Sequence, residues 1–228
     1  ILQVSFRQSH YQLQGNHIFL KLVAEMIGSA EVFLGGQNCS TEKSGAFTGE
    51  ISPEMLGNVG CRYVIIGHSE RRQCYFETNG VVGKKFVNAM EAGLIPICCV
   101  GETGEERRKG LTREVINRQI DSLFTALGAC TSKVNLEFLI AYEPVWAIGT
   151  GESASPELAS ETHVMIRDRV AQHNAVVAET IKILYGGSVN EKNAGSFFEK
   201  GEIGGALIGG ASLKPHSFNE IRKLAAGV

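Results

Sequence analysis

From residue 31 to the C-terminus, short apolar runs alternate with amphipathic helical stretches. The runs at 31–36, 63–67, 95–100, 136–142, 181–185 and 203–208 read as strands. Helical stretches lie at 53–58, 79–91, 112–127, 156–173, 191–198 and 215–224. In 79–91, Val82, Phe86, Val87 and Met90 share one face, Lys84 and Lys85 take the other, and Gly93 ends the helix. A strand that is apolar throughout must be covered on both faces, and a one-sided helix needs a sheet to lie on. The alternation therefore predicts parallel strands joined by crossover helices, an α/β fold.

Residues 1–6 read as a further strand, and 18–27 as a helix with Ile18, Leu22, Val23 and Met26 on one face; 7–17 has no clean period. That makes seven strands, where a closed parallel barrel has eight. An open doubly wound sheet is the alternative. Chemistry-bearing motifs follow four different strands rather than one switch point, which favours the barrel. No linker or composition break divides the chain, so 1–228 is expected to be a single domain.

With 22 basic and 24 acidic residues and a net charge of -2, the chain offers no general argument for a nucleic-acid or membrane partner. It has no eighteen-residue apolar run and no secretory leader pattern at its start. The six cysteines (Cys39, Cys61, Cys74, Cys98, Cys99 and Cys130) contain no C-x-x-C spacing, so neither a zinc nor a redox motif is suggested. They read as reduced thiols of a cytoplasmic protein. Cys98 and Cys99 are adjacent on a strand and point to opposite faces.

Three patterns carry chemistry. Glu143 stands at the carboxyl end of the 136–142 strand, followed by Pro144, Val145, Trp146, Ala147, Ile148 and Gly149. A carboxylate so placed can be a general base, and an apolar segment after it can close over a ligand. Ser155 and Pro156 then open the next helix. His68 follows the 63–67 strand within Gly67-His68-Ser69-Glu70-Arg71-Arg72, where a helix start can hold its imidazole neutral. The last two strands end in Tyr185-Gly186-Gly187-Ser188 and Ile208-Gly209-Gly210. Glycine lets backbone N–H groups approach an anion, and barrels often bind phosphate at these two loops.

The run from Ala141 to Gly151, with GHSERR, resembles the triosephosphate isomerase family, for which a glutamate base, a neutral histidine and a closing loop are the standard description. The resemblance covers about Gln37 to the C-terminus. It implies a (β/α)8 TIM barrel that interconverts dihydroxyacetone phosphate and D-glyceraldehyde 3-phosphate through an enediolate, in glycolysis and gluconeogenesis. It implies Glu143, His68 and Glu70 as catalytic, and Gly149, Ser188, Gly209 and Gly210 as substrate contacts. No metal or cofactor is expected. The loop from Gln37 to Glu50 would enter a neighbouring subunit of a homodimer, with Arg71 paired to Glu50 near that contact. Cys99 would pack beside the base.

The resemblance fails at the N-terminus. The family's first strand carries Asn-x-Lys, whose lysine supplies charge beside the substrate. Here the first lysine is Lys21, on a helix. With one strand also short, the first βα unit is expected to be absent or incomplete, its residues lying outside this sequence. A non-catalytic phosphate-binding or scaffold member of the same fold is the alternative.

Overall fold

The computed structural model describes residues 2–6, 11–15, 17–28, 32–132, 134–148 and 153–227. Eight strands close into a barrel in chain order: β1 (Leu2–Phe6), β2 (Tyr11–Gly15), β3 (Val32–Gly36), β4 (Cys61–Ile66), β5 (Ile95–Val100), β6 (Leu139–Tyr142), β7 (Ile183–Tyr185) and β8 (Gly205–Ile208). The helices begin with α1 (Leu20–Ile27), α2 (Pro53–Asn58), α3 (Ser69–Cys74), α4 (Asn79–Glu91) and α5 (Gly104–Arg108). They continue with α6 (Thr112–Gly128), α7 (Pro156–His173), α8 (Ala175–Thr180), α9 (Ala194–Phe198) and α10 (Pro215–Ala226).

From β2 to β8 every neighbouring pair is parallel. β1 is antiparallel to both β2 and β8. The connection explains this. Only residues 7–10 separate β1 from β2, whereas a parallel pair needs a crossover of about a dozen residues or more. So short a link can only reverse the chain. The first βα unit is thus incomplete in a specific way: a strand occupies the slot, but reversed, and the four residues between it and β2 are too few for a crossover helix. The count of seven strands is corrected to eight. The missed one, β2, reads Tyr-Gln-Leu-Gln-Gly, and its two glutamines hide it in a stretch without an apolar run.

Side chains alternate along each strand, which divides the core into two shells. Tyr63, Ile65, Ile95, Ile97, Cys99, Leu139, Ala141, Leu184 and Leu207 fill the barrel. Val64, Ile66, Cys98, Val100, Ile140 and Ile183 face outward against helix residues such as Phe86, Ile116, Ile120, Ile166 and Ile221. Cys98 and Cys99 therefore do point to opposite faces, and all six cysteines are free. Each fully buried aliphatic or aromatic side chain contributes about 1.5–3 kcal/mol, so both shells hold the rim of the barrel rigid. Helix starts follow the sequence: Ser155 accepts from the Leu158 N–H at 3.2 Å ahead of Pro156, and Thr78 caps α4. Among the described residues, no helix is long and apolar enough to cross a membrane.

Candidate active site

The parallel strands all end at one rim, and the candidate residues sit there. Glu143 directly follows β6. Its backbone N–H donates to the Val100 carbonyl at 2.7 Å, and the Gly186 N–H donates to the Tyr142 carbonyl at 2.7 Å, so the ladder runs past the strand ends. Glycines on both sides make room. A Cβ on Gly101 would lie 1.7 Å from the Glu143 carbonyl oxygen, and one on Gly186 would lie 3.0 Å from Glu143 Cγ. Glu143 is only 2% exposed.

His68 is aimed by Gly67, whose φ of +67° turns the chain out of β4 into α3. That left-handed conformation suits glycine. Arg72 fixes the turn: its Nε donates to the Gly67 carbonyl at 2.8 Å and its Nη2 to the Cys99 carbonyl at 3.1 Å. His68 caps α3, its Nδ1 accepting from the Glu70 N–H at 3.4 Å. Its Nε2 stands 2.9 Å from Glu143 Oε1. The other carboxylate oxygen, Oε2, accepts from the Ser69 N–H at 2.8 Å. Oε1 itself is buried and receives no well-directed hydrogen bond. Burial works to lower the His68 pKa, but the contact and charge of Glu143, with Glu70 behind them, outweigh it and hold the imidazole above its ordinary range.

The apolar segment after Glu143 is anchored, not projecting. Val145–Ala147 forms a 3-10 turn. Trp146 Nε1–H donates to Glu102 Oε1 at 3.0 Å, and Arg107 lies over the indole at 4.8 Å. Glu102 is fully buried and also accepts from the Tyr142 hydroxyl at 3.2 Å and from Arg107 at 3.3 Å. Ser188 Oγ donates to the Ala147 carbonyl at 3.1 Å, and the Ala154 N–H donates to the Tyr185 hydroxyl at 3.1 Å. Gly149 lies outside the described residues.

A cavity of about 690 Å³ joins these parts: His68, Glu70, Glu143, Ser188, Gly209 and Gly210 all line it. Six of the seven expected site residues thus share one pocket. Glu70 is the loosest, its side chain 75% exposed and its Oε2 3.7 Å from His68 Nδ1. Gly210 opens a 3-10 turn through Leu213, and a Cβ there would meet nothing within 4 Å. Lys192, Lys214, Glu191 and Ser217 also line the cavity and were missed. The signal was their position just beyond the two Gly-Gly pairs, where only glycines were weighed. The hold of Glu102 on Trp146 has no counterpart in the sequence reading.

In the loop from Gln37 to Glu50, residues 43–50 are exposed, Phe47 among them. The Ser40 N–H closes its base on the Ile51 carbonyl at 2.8 Å. Within this one chain Arg71 pairs with Glu77 at 2.5 Å rather than with Glu50. Lys85 joins that pair at 2.6 Å. Among the described residues, no cluster of His, Cys, Asp or Glu is arranged to hold a metal ion.

A family model described as triosephosphate isomerase matches residues 5–225. The chain is 48% identical over 208 residues to a triosephosphate isomerase of Sodalis glossinidius (strain morsitans), covering 91% of this chain and 80% of that one. It is 49% identical over 209 residues to a protein of that name from Proteus mirabilis (strain HI4320), covering 92% and 80%. It is 49% identical over 206 residues to another from Acidithiobacillus ferrooxidans (strain ATCC 23270 / DSM 14882 / CIP 104768 / NCIMB 8455), covering 90% and 79%.

Proposed function

The chain belongs to the triosephosphate isomerase family, and on that premise we propose how its own residues carry out the isomerisation. The protein interconverts dihydroxyacetone phosphate and D-glyceraldehyde 3-phosphate. Glu143 removes a proton from the carbon beside the carbonyl and returns it to the neighbouring carbon. His68 donates from Nε2 to the substrate oxygens and stabilises the enediolate charge. While Glu143 touches His68, the carboxylate draws the imidazole toward its cationic form. Once Glu143 turns to the substrate carbon, the Glu70 N–H remains at Nδ1 and favours a neutral ring with its proton on Nε2. Glu70 lies beside that ring and orients it. The amides of Gly149, Gly209 and Gly210, with Ser188, receive the phosphate. The segment after Glu143 covers the intermediate from water. Acid–base side chains suffice, with no metal or cofactor.

The observation that carries this reading is the 2.9 Å approach of His68 to Glu143 inside the cavity that Gly209 and Gly210 also line. Exchange of substrate carbon-bound hydrogen in D2O, followed by NMR, tests it: deuterium should enter at the carbon next to the carbonyl only when enzyme is present. Substrate that stays fully protonated after prolonged incubation contradicts it.

We further propose a single domain over 1–228 that acts in the cytoplasm as a two-fold homodimer, with the Gln37–Glu50 loop inserted into its partner. Exposed Phe47 at that loop supports the pairing, since an aromatic there is otherwise left in water. A non-catalytic binder rested only on the missing Asn-x-Lys; the family match gives it no support.

A further inference from the structure

The cavity must take a phosphate dianion, yet three carboxylates line it: Glu70, Glu143 and Glu191. Among the described residues its only lining ammonium groups are Lys192 and Lys214. Each stands just beyond one glycine turn: Lys192 beyond Gly186-Gly187, Lys214 beyond Gly209-Gly210. The two turns come from neighbouring strands, β7 and β8, which pair in parallel. Both lysines are exposed, and neither ammonium group has an ion-pair or hydrogen-bond partner among the described residues.

Glu191, next to Lys192 in the chain, also lines the cavity, and its carboxylate accepts a hydrogen bond from Ser217 Oγ. That bond, first of all, keeps its pKa below the ordinary range, and the charges of Lys192 and Lys214 act in the same direction. Both lysines and Glu191 thus line one cavity, on the loops that follow two neighbouring strands. Removing them would leave carboxylates alone facing an incoming dianion, and like charges at a cavity mouth slow and weaken association.

We propose that Lys192 and Lys214 form a cationic gate that draws the substrate's phosphate to the glycine amides, offsetting Glu70, Glu143 and Glu191. This rests on the isomerase reading for the identity of the ligand. The gate acts on capture and binding, not on proton transfer, since neither lysine lies on an element that carries Glu143 or His68. Lysines on flexible stems suit this task, because a point charge needs no fixed geometry to attract a phosphate.

The test compares wild type, Lys192→Met/Lys214→Met, Lys192→Arg/Lys214→Arg and Glu191→Gln, each checked for an unchanged melting temperature. Inorganic phosphate is the binding probe, titrated by calorimetry with no turnover needed, so the result stands even if the isomerase reading fails. The Met pair should weaken phosphate by roughly three- to tenfold, with KM rising in parallel while the loss spares kcat. The dependence of kcat/KM on ionic strength should flatten. The Arg pair should restore both, and Glu191→Gln should tighten phosphate. Phosphate affinity and salt dependence in the Met pair equal to wild type would overturn the proposal.

Discussion

The backbone N–H of Ser69 donates to Glu143 Oε2 at 2.8 Å, so the residue next to His68 holds the carboxylate that His68 faces. One peptide unit therefore sets the distance between the acid–base pair, although the two residues come from β6 and from the turn after β4. Ser69 is also the first residue of α3, a position that tolerates proline because the N–H there has no intrahelical partner. His68, at φ -50° and ψ 143°, already has the extended backbone that a following proline requires. Ser69→Pro should thus remove the clamp while leaving the helix intact. We expect kcat to fall by roughly 10- to 10²-fold, with a stability loss of about 1.5–3 kcal/mol from the missing hydrogen bond to a buried carboxylate. Wild-type kcat in a folded variant would show that the clamp is irrelevant to turnover.

Gly101 is needed for space rather than flexibility. A methyl group there would overlap the Glu143 carbonyl, and Gln119 grips the Gly101 backbone from both sides, at 2.8 and 3.1 Å, so the strand end has little freedom to yield. Gly101→Ala should cost about 1–3 kcal/mol or more and displace Glu143. Denaturant unfolding measures the first effect and steady-state kinetics the second. A fully active protein of wild-type stability would mean the strand end can move aside.

Trp146 anchors the covering segment through its one polar atom. Trp146→Phe keeps most of the ring and deletes the donor to buried Glu102, whose Oε2 already lacks a hydrogen-bond partner. The loss should be about 1.5–3 kcal/mol, the range for a hydrogen bond to a charged group. Thermal unfolding of this variant and of Glu102→Gln checks it. No change in either would make the contact incidental.

Acid should weaken the fold in two separate windows. His163 is fully buried, with Nδ1 at 3.3 Å from the Glu202 carbonyl and Nε2 without a partner. Burial pushes its pKa down to about 4. The unfolded chain takes up that proton first, so the stability is complete above about pH 6.5 and is lost as pH falls toward 4, at up to about 1.4 kcal/mol per pH unit. Glu77 acts lower. Burial would raise its pKa, but hydrogen bonds from Lys85 and Arg71 outweigh that and hold it down, so its share disappears only below the ordinary carboxylate range. Urea unfolding at stepped pH should show the first slope in wild type and lose it in His163→Met. An unchanged slope in that variant would assign the acid sensitivity elsewhere.

The parts of the fold visible in the sequence are those where burial dictates residue type. Runs such as Ile95–Val100 are apolar on both faces because one face fills the barrel and the other meets helices. β2 was not visible because its polar alternation carries no such signature. The reversal of β1 follows from the length of the link between β1 and β2, not from any pattern in its residues. At the site, Glu143 and His68 could be found because each ends an apolar strand. The grip of Glu102 on Trp146 bridges 44 positions and leaves no local trace. Lys192 and Lys214 look like any surface lysines until the barrel turns both toward one cavity.

Turnover of Glu143→Gln tests the central claim most directly, since the amide keeps the shape of the side chain and loses its basicity. The account predicts a fall in kcat of roughly 10²–10⁴-fold, with phosphate affinity equal to wild type or tighter and the melting temperature close to wild type. A folded Glu143→Gln protein that isomerises dihydroxyacetone phosphate within tenfold of the wild-type rate would contradict it.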